Sequence, residues 1–459
     1  MAAQRATTSD GPDSQPLIVM AAMPEVGHTL PLLQIASHLV SRSLQVFFVG
    51  GPQFEAQIRA TGATYYECPN FVTRELGLKL RAVQDPKARH TFAVKHVFVD
   101  SMPVRMAALT RCLENVRARY PNRSVVIFNE IMFLGTLPYQ LGAPPPRGYD
   151  RFPRVINFHT SIIVTGSLEV PPFLSNLEYD PSPEGQERNR MIYEQQEPGH
   201  REIEAHANKV VKSLGVTRDI GGEFFMVCIT TGEVTLLPYS SSLEYPRTNM
   251  SEKFEFSGGM PLKAIDPTFK YPAWWSEILA NAELPRESSE RKRIIFVTQG
   301  TVNNKPDQLI QPAIRGLADN QEAITVATLG KRDASLPEDF DVPSNARVID
   351  YLPYDAILPH TDVFVFNGGF GGYMHGIMNG IPMVMAGISE NKAEVAMRAE
   401  WAGVAVNLRT ATPTENALRE GVEKLLTDHK YKARVAEIRR ENIALDFMKH
   451  VDAWIKKLA

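Results

Sequence analysis

Cysteine is scarce: Cys68, Cys112 and Cys228 are the only three in 459 residues, far apart and without a Cys-x-x-Cys pair. That spacing excludes a disulfide framework and a zinc knuckle and fits a reducing cytosol. Long apolar runs are missing too. No stretch reaches the roughly 18 consecutive apolar residues of a membrane helix, which excludes helical spans. The first 15 residues are polar and hold no apolar run of signal-peptide type, so a disordered tail over residues 1–16 is expected. An excess of one charge is also lacking. Lys and Arg number 49 against 52 Asp and Glu, scattered along the chain, for a net charge of −3. That balance argues against nucleic acid or an acidic membrane surface as the main partner. No short-period repeat is visible, which argues against a solenoid. A soluble, cytoplasmic protein is the expectation.

What is present is an ordinary globular composition, 44% apolar and 22% charged, on a chain long enough for two domains. Leu17 to Ala22 reads as a short buried strand, Leu32 to Val40 has helical spacing, and Gln45 to Val49 is a second strand. Such strand–helix–strand units build parallel sheets with right-handed crossovers. Val125 to Phe128 and Val155 to Phe158 read as later strands of the same sheet, followed by apolar runs at Gly222 to Thr230 and Glu233 to Pro238. From Phe254 to about Arg291 the sequence turns irregular and marks a domain junction. A second strand set follows at Ile294–Thr298, Ile324–Thr328, Ala346–Ile349, Asp362–Phe366 and Pro382–Met385. The charged stretch 180–206 reads as an inserted helix or lid. Thr412 to Glu415 has capping-box spacing, and Ile443, Phe447, Val451, Trp454 and Ile455 share a face of a closing amphipathic segment.

The strongest local signal is Asp362 to Pro382, where a strand runs into Gly368, Gly369, Gly371 and Gly372 and then a helix. Glycines let backbone N–H groups approach a ligand, and the helix N-terminus beyond suits a phosphate. No Gly-Lys-Ser/Thr ends the loop, and the dinucleotide spacing is absent, so neither of those phosphate motifs applies. A tight turn packed in the core is the other reading of these glycines. Gln299-Gly300-Thr301 follows the next strand set's first strand and offers a second anion contact. His28, in the first strand-to-helix loop, is the candidate general base, since a neutral imidazole accepts a proton near physiological pH. A packed structural histidine is the alternative. Glu130 is a candidate to orient it; taken alone, it reads as an exposed loop carboxylate.

These segments, in this order, resemble the family-1 nucleoside-diphosphate-sugar glycosyltransferases over nearly the whole chain from residue 17. "MPEVGHTLPLLQIASHL" is similar to the family's Gly-His…Pro loop, which implies His28 as catalytic base with Gly27 beside the donor. "FVTQGTVNN" is similar to the loop that touches the donor's β-phosphate, through Thr301. "VIDYLPYDAILPH" is similar to the segment that clamps the nucleobase, which implies Tyr351 and Leu352. "FNGGFGGYMHGIMNGIPMV" resembles the donor signature His-Gly-Gly-x-Gly-Thr-x-x-Glu…Gly-Val-Pro and implies donor contacts at Asn367, Gly368, Gly369, Gly371, Gly372 and His375. The family's acidic partner falls on Glu130, with Asn129 as the alternative register.

The sequence departs from the family at several of these positions. Asn367 replaces the signature His, Gly372 the Thr/Ser, and His375 the Glu that binds ribose hydroxyls. Tyr351 replaces the stacking Trp, Tyr354 a Gln, and Asn391-Lys392 the Asp-Gln pair that reads the sugar. A microbial subgroup with Asn-Gly-Gly-Phe/Tyr-Gly-Gly is similar in these respects. The resemblance implies the GT-B fold: two Rossmann-like α/β domains facing across a cleft. An acceptor domain would span 17–260 and a nucleotide-sugar domain 261–435, with a C-terminal helix over 436–459 packed back on the first. It implies inverting transfer of a hexose, by default glucose from UDP-glucose, to a hydroxyl of a small apolar or phenolic acceptor. The expected participants are a UDP-sugar co-substrate and that acceptor, with no metal, bound cofactor, nucleic acid or integral membrane segment, in a monomer or weak homo-oligomer. Phe92, Phe98, Met102, Phe133 and Phe158 are acceptor-wall candidates, each with a core role as the alternative. Two rival functions stand beside the transferase: a sugar-nucleotide-binding protein of the same fold with impaired catalysis, and a sugar-nucleotide epimerase.

Overall fold

The computed structural model describes residues 15–164, 166–285, 287–300 and 305–459. Thr301 and most of the tail therefore lie outside the described residues. Continuous apolar runs bury both faces of a strand, as a parallel sheet covered by helices requires. The first sheet comprises β1 (Leu17–Ala21), β2 (Val46–Gly50), β3 (Thr64–Glu67), β4 (Val125–Glu130), β5 (Arg154–Phe158), β6 (Val234–Leu237) and β7 (Phe254–Phe256). They pair in parallel in the order β3-β2-β1-β4-β5-β6-β7. The second comprises β8 (Arg293–Thr298), β9 (Ala323–Thr328), β10 (Ala346–Ile349), β11 (Val363–Phe366), β12 (Met383–Met385) and β13 (Ala405–Asn407). Its order is β10-β9-β8-β11-β12-β13, again parallel.

Each sheet reverses its winding beside its first strand, between β1 and β4 and between β8 and β11. At such a point the neighbouring connections diverge past the carboxyl ends of the strands and leave a crevice. Four connections thus decide what the crevices contain. The one after β1 enters α1 (Val26–Ser41). Further along the chain come α2 (Pro86–Ala93), α3 (Met102–Arg119), α4 (Pro183–Ser213) and α5 (Phe224–Thr230); α3 and α5 pack on the first sheet, and α2 packs on α4. The connection after β11 enters α6 (Phe370–Asn379), and α7 (Lys392–Trp401) follows β12.

Several local expectations change. The Gly222–Thr230 run folds as helix α5, because Phe224 and Cys228, one turn apart, pack on Ile203, Ala207 and Val211 of α4. A seven-residue apolar run fits either periodicity, and the tertiary neighbours decide. The short strands β3 and β13 arise in stretches that carry no clear strand pattern, and β7 lies inside the segment read as irregular. The charged stretch after residue 180 is the 31-residue helix α4, capped at Ser182 and carrying Pro198 within it. Helix α8 (Glu415–Thr427) is capped by Thr414, whose hydroxyl accepts from Ala417 N at 3.2 Å, two residues beyond the position the capping-box spacing suggests.

The closing segment is two helices, α9 (His429–Leu445) and α10 (Phe447–Leu458), broken at Asp446 with φ 58°. Ile443 consequently faces solvent. Phe447, Val451 and Ile455 are buried with Ile18, Met20, Phe128 and Phe158 of the first sheet. Each such side chain contributes roughly 1.5–3 kcal/mol by leaving water. His38 meets Asp452 at 2.9 Å, and the Trp454 indole donates to Glu255 at 2.7 Å, so the last helix returns to the first sheet. A buried polar seam joins the sheets: Arg398 of α7 binds Glu244 at 2.8 Å, Glu394 at 3.2 Å and the Ile163 carbonyl at 3.2 Å.

Candidate active site

Helix α1 starts at Val26, after a link over residues 22–25, so Gly27 and His28 lie in its first turn, not in the loop that the sequence suggests. Glu130 is the last residue of β4 and is fully buried, not exposed. The pairing of β1 with β4 brings the two together: His28 Nδ1 lies 2.9 Å from Glu130 Oε1. Thr160, just past β5, sits between them, donating to Glu130 Oε1 at 3.2 Å and lying 3.2 Å from His28 Nδ1. The backbone N–H of Met132 donates to Glu130 Oε1 at 3.0 Å, and that of Met23 to Oε2 at 3.4 Å. Asn129, the alternative register, points its amide instead to Asn157 at 3.0 Å, away from His28.

Burial opposes the charged form of His28, but the Glu130 carboxylate outweighs it and raises the imidazole pKa above its ordinary 6.5. Burial likewise favours protonated Glu130, yet His28 and the two amides overcome it, and the carboxyl is held below its usual range. With Nδ1 engaged, Nε2 is left for the cleft, where His28 keeps 26% of its side chain exposed. His159, one residue before Thr160, is different. Burial pushes it down to about 4, and its Nδ1 accepts from Ser161 N at 3.1 Å, so it stays neutral and internal.

A cleft of about 370 Å³ lies between the sheets. Gly27, His28 and Thr160 line it from the first sheet, and Gln299, Gly300, Asn367, Gly369, Gly371, His375, Asn391 and Lys392 from the second. Every one of these follows a strand end, and eight follow the strands at the winding reversals. The glycines straddle the start of α6. Gly368 turns the chain with φ 80°, Gly369 is the cap residue with no side-chain cap, and Gly371 and Gly372 are already helical. The N–H groups of Phe370, Gly371 and Gly372 therefore have no partner within the helix. Asn367 fixes the turn by donating to the Gln299 carbonyl, which joins the loops after β8 and β11.

The glycines differ in role. A Cβ on Gly371 would meet nothing within 4 Å, whereas one on Gly372 would meet the Phe366 ring at 2.9 Å. Gly372 is a packing glycine facing β11 and does not line the cleft. Leu352 is buried in the core and does not line the cleft either. Tyr351 packs near Phe269, with the Arg332 guanidinium 5.1 Å from its ring, outside the cleft wall. Asn391 reaches across to donate to Ser161 Oγ at 2.6 Å, and Lys392 donates to Ser389 Oγ at 3.2 Å. Of the apolar candidates, Phe133 and Met102 are core, Phe158 reaches the cleft, and Phe92 lies 4.6 Å from the ring of His96.

Three polar residues near the cleft were not singled out from the sequence: Thr160, Lys263 and Asp355. His375 Nδ1 lies 3.7 Å from Asp355 Oδ1, a shielded carboxylate oxygen without a hydrogen bond. Burial lowers the pKa of His375 and of the cleft-lining Lys263, against the pull of Asp355. The signal for Asp355 lay in plain view, a carboxylate opening the short helix after Leu352-Pro353, but its partner is 20 residues away in sequence. Thr160 is found only through the β4–β5 pairing.

The profile of the family described as "UDP-glucoronosyl and UDP-glucosyl transferase" matches residues 221–443. The chain is 40% identical to "UDP-glucosyltransferase 1" of Beauveria bassiana (strain ARSEF 2860), over 96% of this chain and 95% of that protein. It is 31% identical to "UDP-glucosyltransferase A1" of Starmerella bombicola, over 97% and 93%. The solved glycosyltransferase of kitacinnamycin superposes with a TM-score of 0.70 at 21% identity, covering 97% of this chain and 99% of that one. The shared architecture is the GT-B arrangement of two parallel sheets.

Proposed function

The chain belongs to the UDP-glucoronosyl and UDP-glucosyl transferase family, and on that footing we propose that it moves glucose from UDP-glucose to a hydroxyl of a small apolar or phenolic acceptor, with inversion. The observation that carries the mechanism is the His28–Glu130 contact of 2.9 Å opposite the uncapped start of α6 across one cleft. The acceptor hydroxyl gives its proton to His28 Nε2 as its oxygen attacks the anomeric carbon. The bond from that carbon to the diphosphate oxygen breaks, and UDP leaves with the electron pair. Glu130 holds the tautomer through Nδ1 and stabilises the imidazolium that forms. The free N–H groups of Phe370, Gly371 and Gly372 face the growing negative charge, with Lys392 and Lys263 nearby. This route draws its positive charge from the protein and calls on no metal ion.

Asp355 and His375 take the donor's ribose in this reading, the shielded Oδ1 accepting from a hydroxyl. Asn391 and Lys392 face the sugar. The similarity to UDP-glucosyltransferases over nearly the whole chain supports a UDP-glucose donor, and the intact His28–Glu130 pair favours catalysis over binding alone. Incubating purified protein with several nucleotide sugars and a panel of phenols, read by mass spectrometry, tests the assignment. A mass gain of one hexose on an acceptor, greatest with UDP-glucose, is expected. Hydrolysis or isomerisation of the nucleotide sugar with no conjugate from any acceptor would overturn it.

A further inference from the structure

Among the described residues, one group of three imidazole and carboxylate side chains brings its donor atoms within 4.8 Å of one another: His96, Asp100 and His206. It lies away from the cleft. His96 Nδ1 is 2.8 Å from Asp100 Oδ2, and His206 Nε2 is 2.5 Å from Asp100 Oδ1. The two rings stand 5.4 Å apart at 69°. The geometry is not local, since His206 on α4 is 106 residues from Asp100. The backbone supports it with an uncommon device. After α2 the chain makes one π-helical turn, Val94–Phe98, and then a 3-10 turn, Val99–Ser101. π-turns are rare and concentrate at functional sites. This one sets His96 and Asp100 on a common face toward α4. Lys95 binds Glu202 of α4 at 2.5 Å alongside, so the same two elements are already joined by one neutralised pair.

We propose that His96, Asp100 and His206 bind a divalent transition-metal ion, with zinc as the best-fitting class, and that the ion clamps the π-turn to α4. Two imidazoles and a carboxylate are donors such ions favour, and at bond lengths of about 2.0–2.2 Å around a tetrahedral ion the donor atoms stand about 3.3–3.5 Å apart. The present spacing reaches that with small side-chain rotations. Asp100 already faces both rings, so the ion replaces the two ring protons that now point at one carboxylate. All three side chains are partly exposed, from 23% to 33%, which leaves water the remaining position. His90 of α2, ahead of the π-turn, and Ile203 of α4, about one turn before His206, line a second cavity of about 300 Å³ together with Phe173 and Phe225. Fixing α2 against α4 fixes the width of that cavity.

Tag-free full-length protein stripped with chelator and titrated with zinc or cobalt(II) tests the proposal. One ion per chain is expected, with a rise in melting temperature, since an ion that binds the folded state alone stabilises it. Cobalt should develop the intense visible bands of a four- or five-coordinate nitrogen–oxygen site. His206→Ala and Asp100→Asn should each weaken uptake by about 100-fold or more, because even residues that only support metal ligands are worth 10- to 100-fold. His429→Ala, on an exposed helix end, should leave uptake unchanged. No uptake by the wild type, only the pale spectrum of hydrated cobalt, or uptake undiminished in the folded variants would show a hydrogen-bonded strut and overturn the metal assignment.

Discussion

At the residue scale, the charge state of His28 sets the chemistry. Its pKa is raised above 6.5 by Glu130 against the effect of burial, so the neutral base gains population as pH rises through that value. The kcat/KM profile should therefore climb with pH through an apparent pKa above 6.5. In Glu130→Gln the raising charge is gone and burial remains, so the limb should move to lower pH, while the plateau rate falls by about tenfold or more for want of the counter-charge. An unchanged profile in that variant would remove Glu130 from its orienting role. Asp355→Asn should raise the donor KM by about 10- to 100-fold with little change in kcat, the cost of one charge-assisted hydrogen bond. Steady-state kinetics with varied UDP-glucose reads it. His28 was legible in the sequence because it lies where β1 passes into the helix of the first strand–helix–strand unit. The burial of Glu130 was not, since a carboxylate at a strand end looks solvent-facing until β5 covers it with Thr160.

At the element scale, the start of α6 separates binding from packing within two neighbouring residues. Gly371→Ala places its methyl in open space and gains roughly 0.5–1 kcal/mol of helix preference, yet it projects into the cleft. Its melting temperature should hold or rise while UDP affinity falls. Gly372→Ala drives a methyl to 2.9 Å from Phe366 and should cost about 1–3 kcal/mol of stability. Calorimetry on both variants, with and without UDP, distinguishes the two. The sequence presented four glycines as one loop. Which of them face ligand depends on where the helix begins, and boundaries shift by a residue or two without any change in pattern. The same limit explains the misplaced cap at Thr414 and the division of the final segment at Asp446. Long apolar strands such as Ile294–Thr298 read correctly because burial on both faces leaves little else for them to be.

At the scale of the whole molecule, two parallel sheets turn their winding reversals toward each other, and this arrangement makes one cleft out of residues 28, 300, 367 and 391. Order and spacing of motifs made the architecture legible. What no local pattern carried was the seam that sets the sheets' relation. Arg398→Ala leaves Glu394 buried without its cation and Glu244 with Arg247 alone, and should cost about 3–5 kcal/mol, measurable by urea unfolding. The returning helix α10, with Phe447 and Val451 in the first sheet's core, holds the other side. The most direct test of the proposed chemistry is made on His28→Ala, with UDP-glucose affinity by calorimetry and UDP release with acceptor measured on one preparation. Donor affinity should stay within about threefold of wild type while turnover falls by about two orders of magnitude or more. Turnover near the wild-type level would contradict the assignment of His28 as the base.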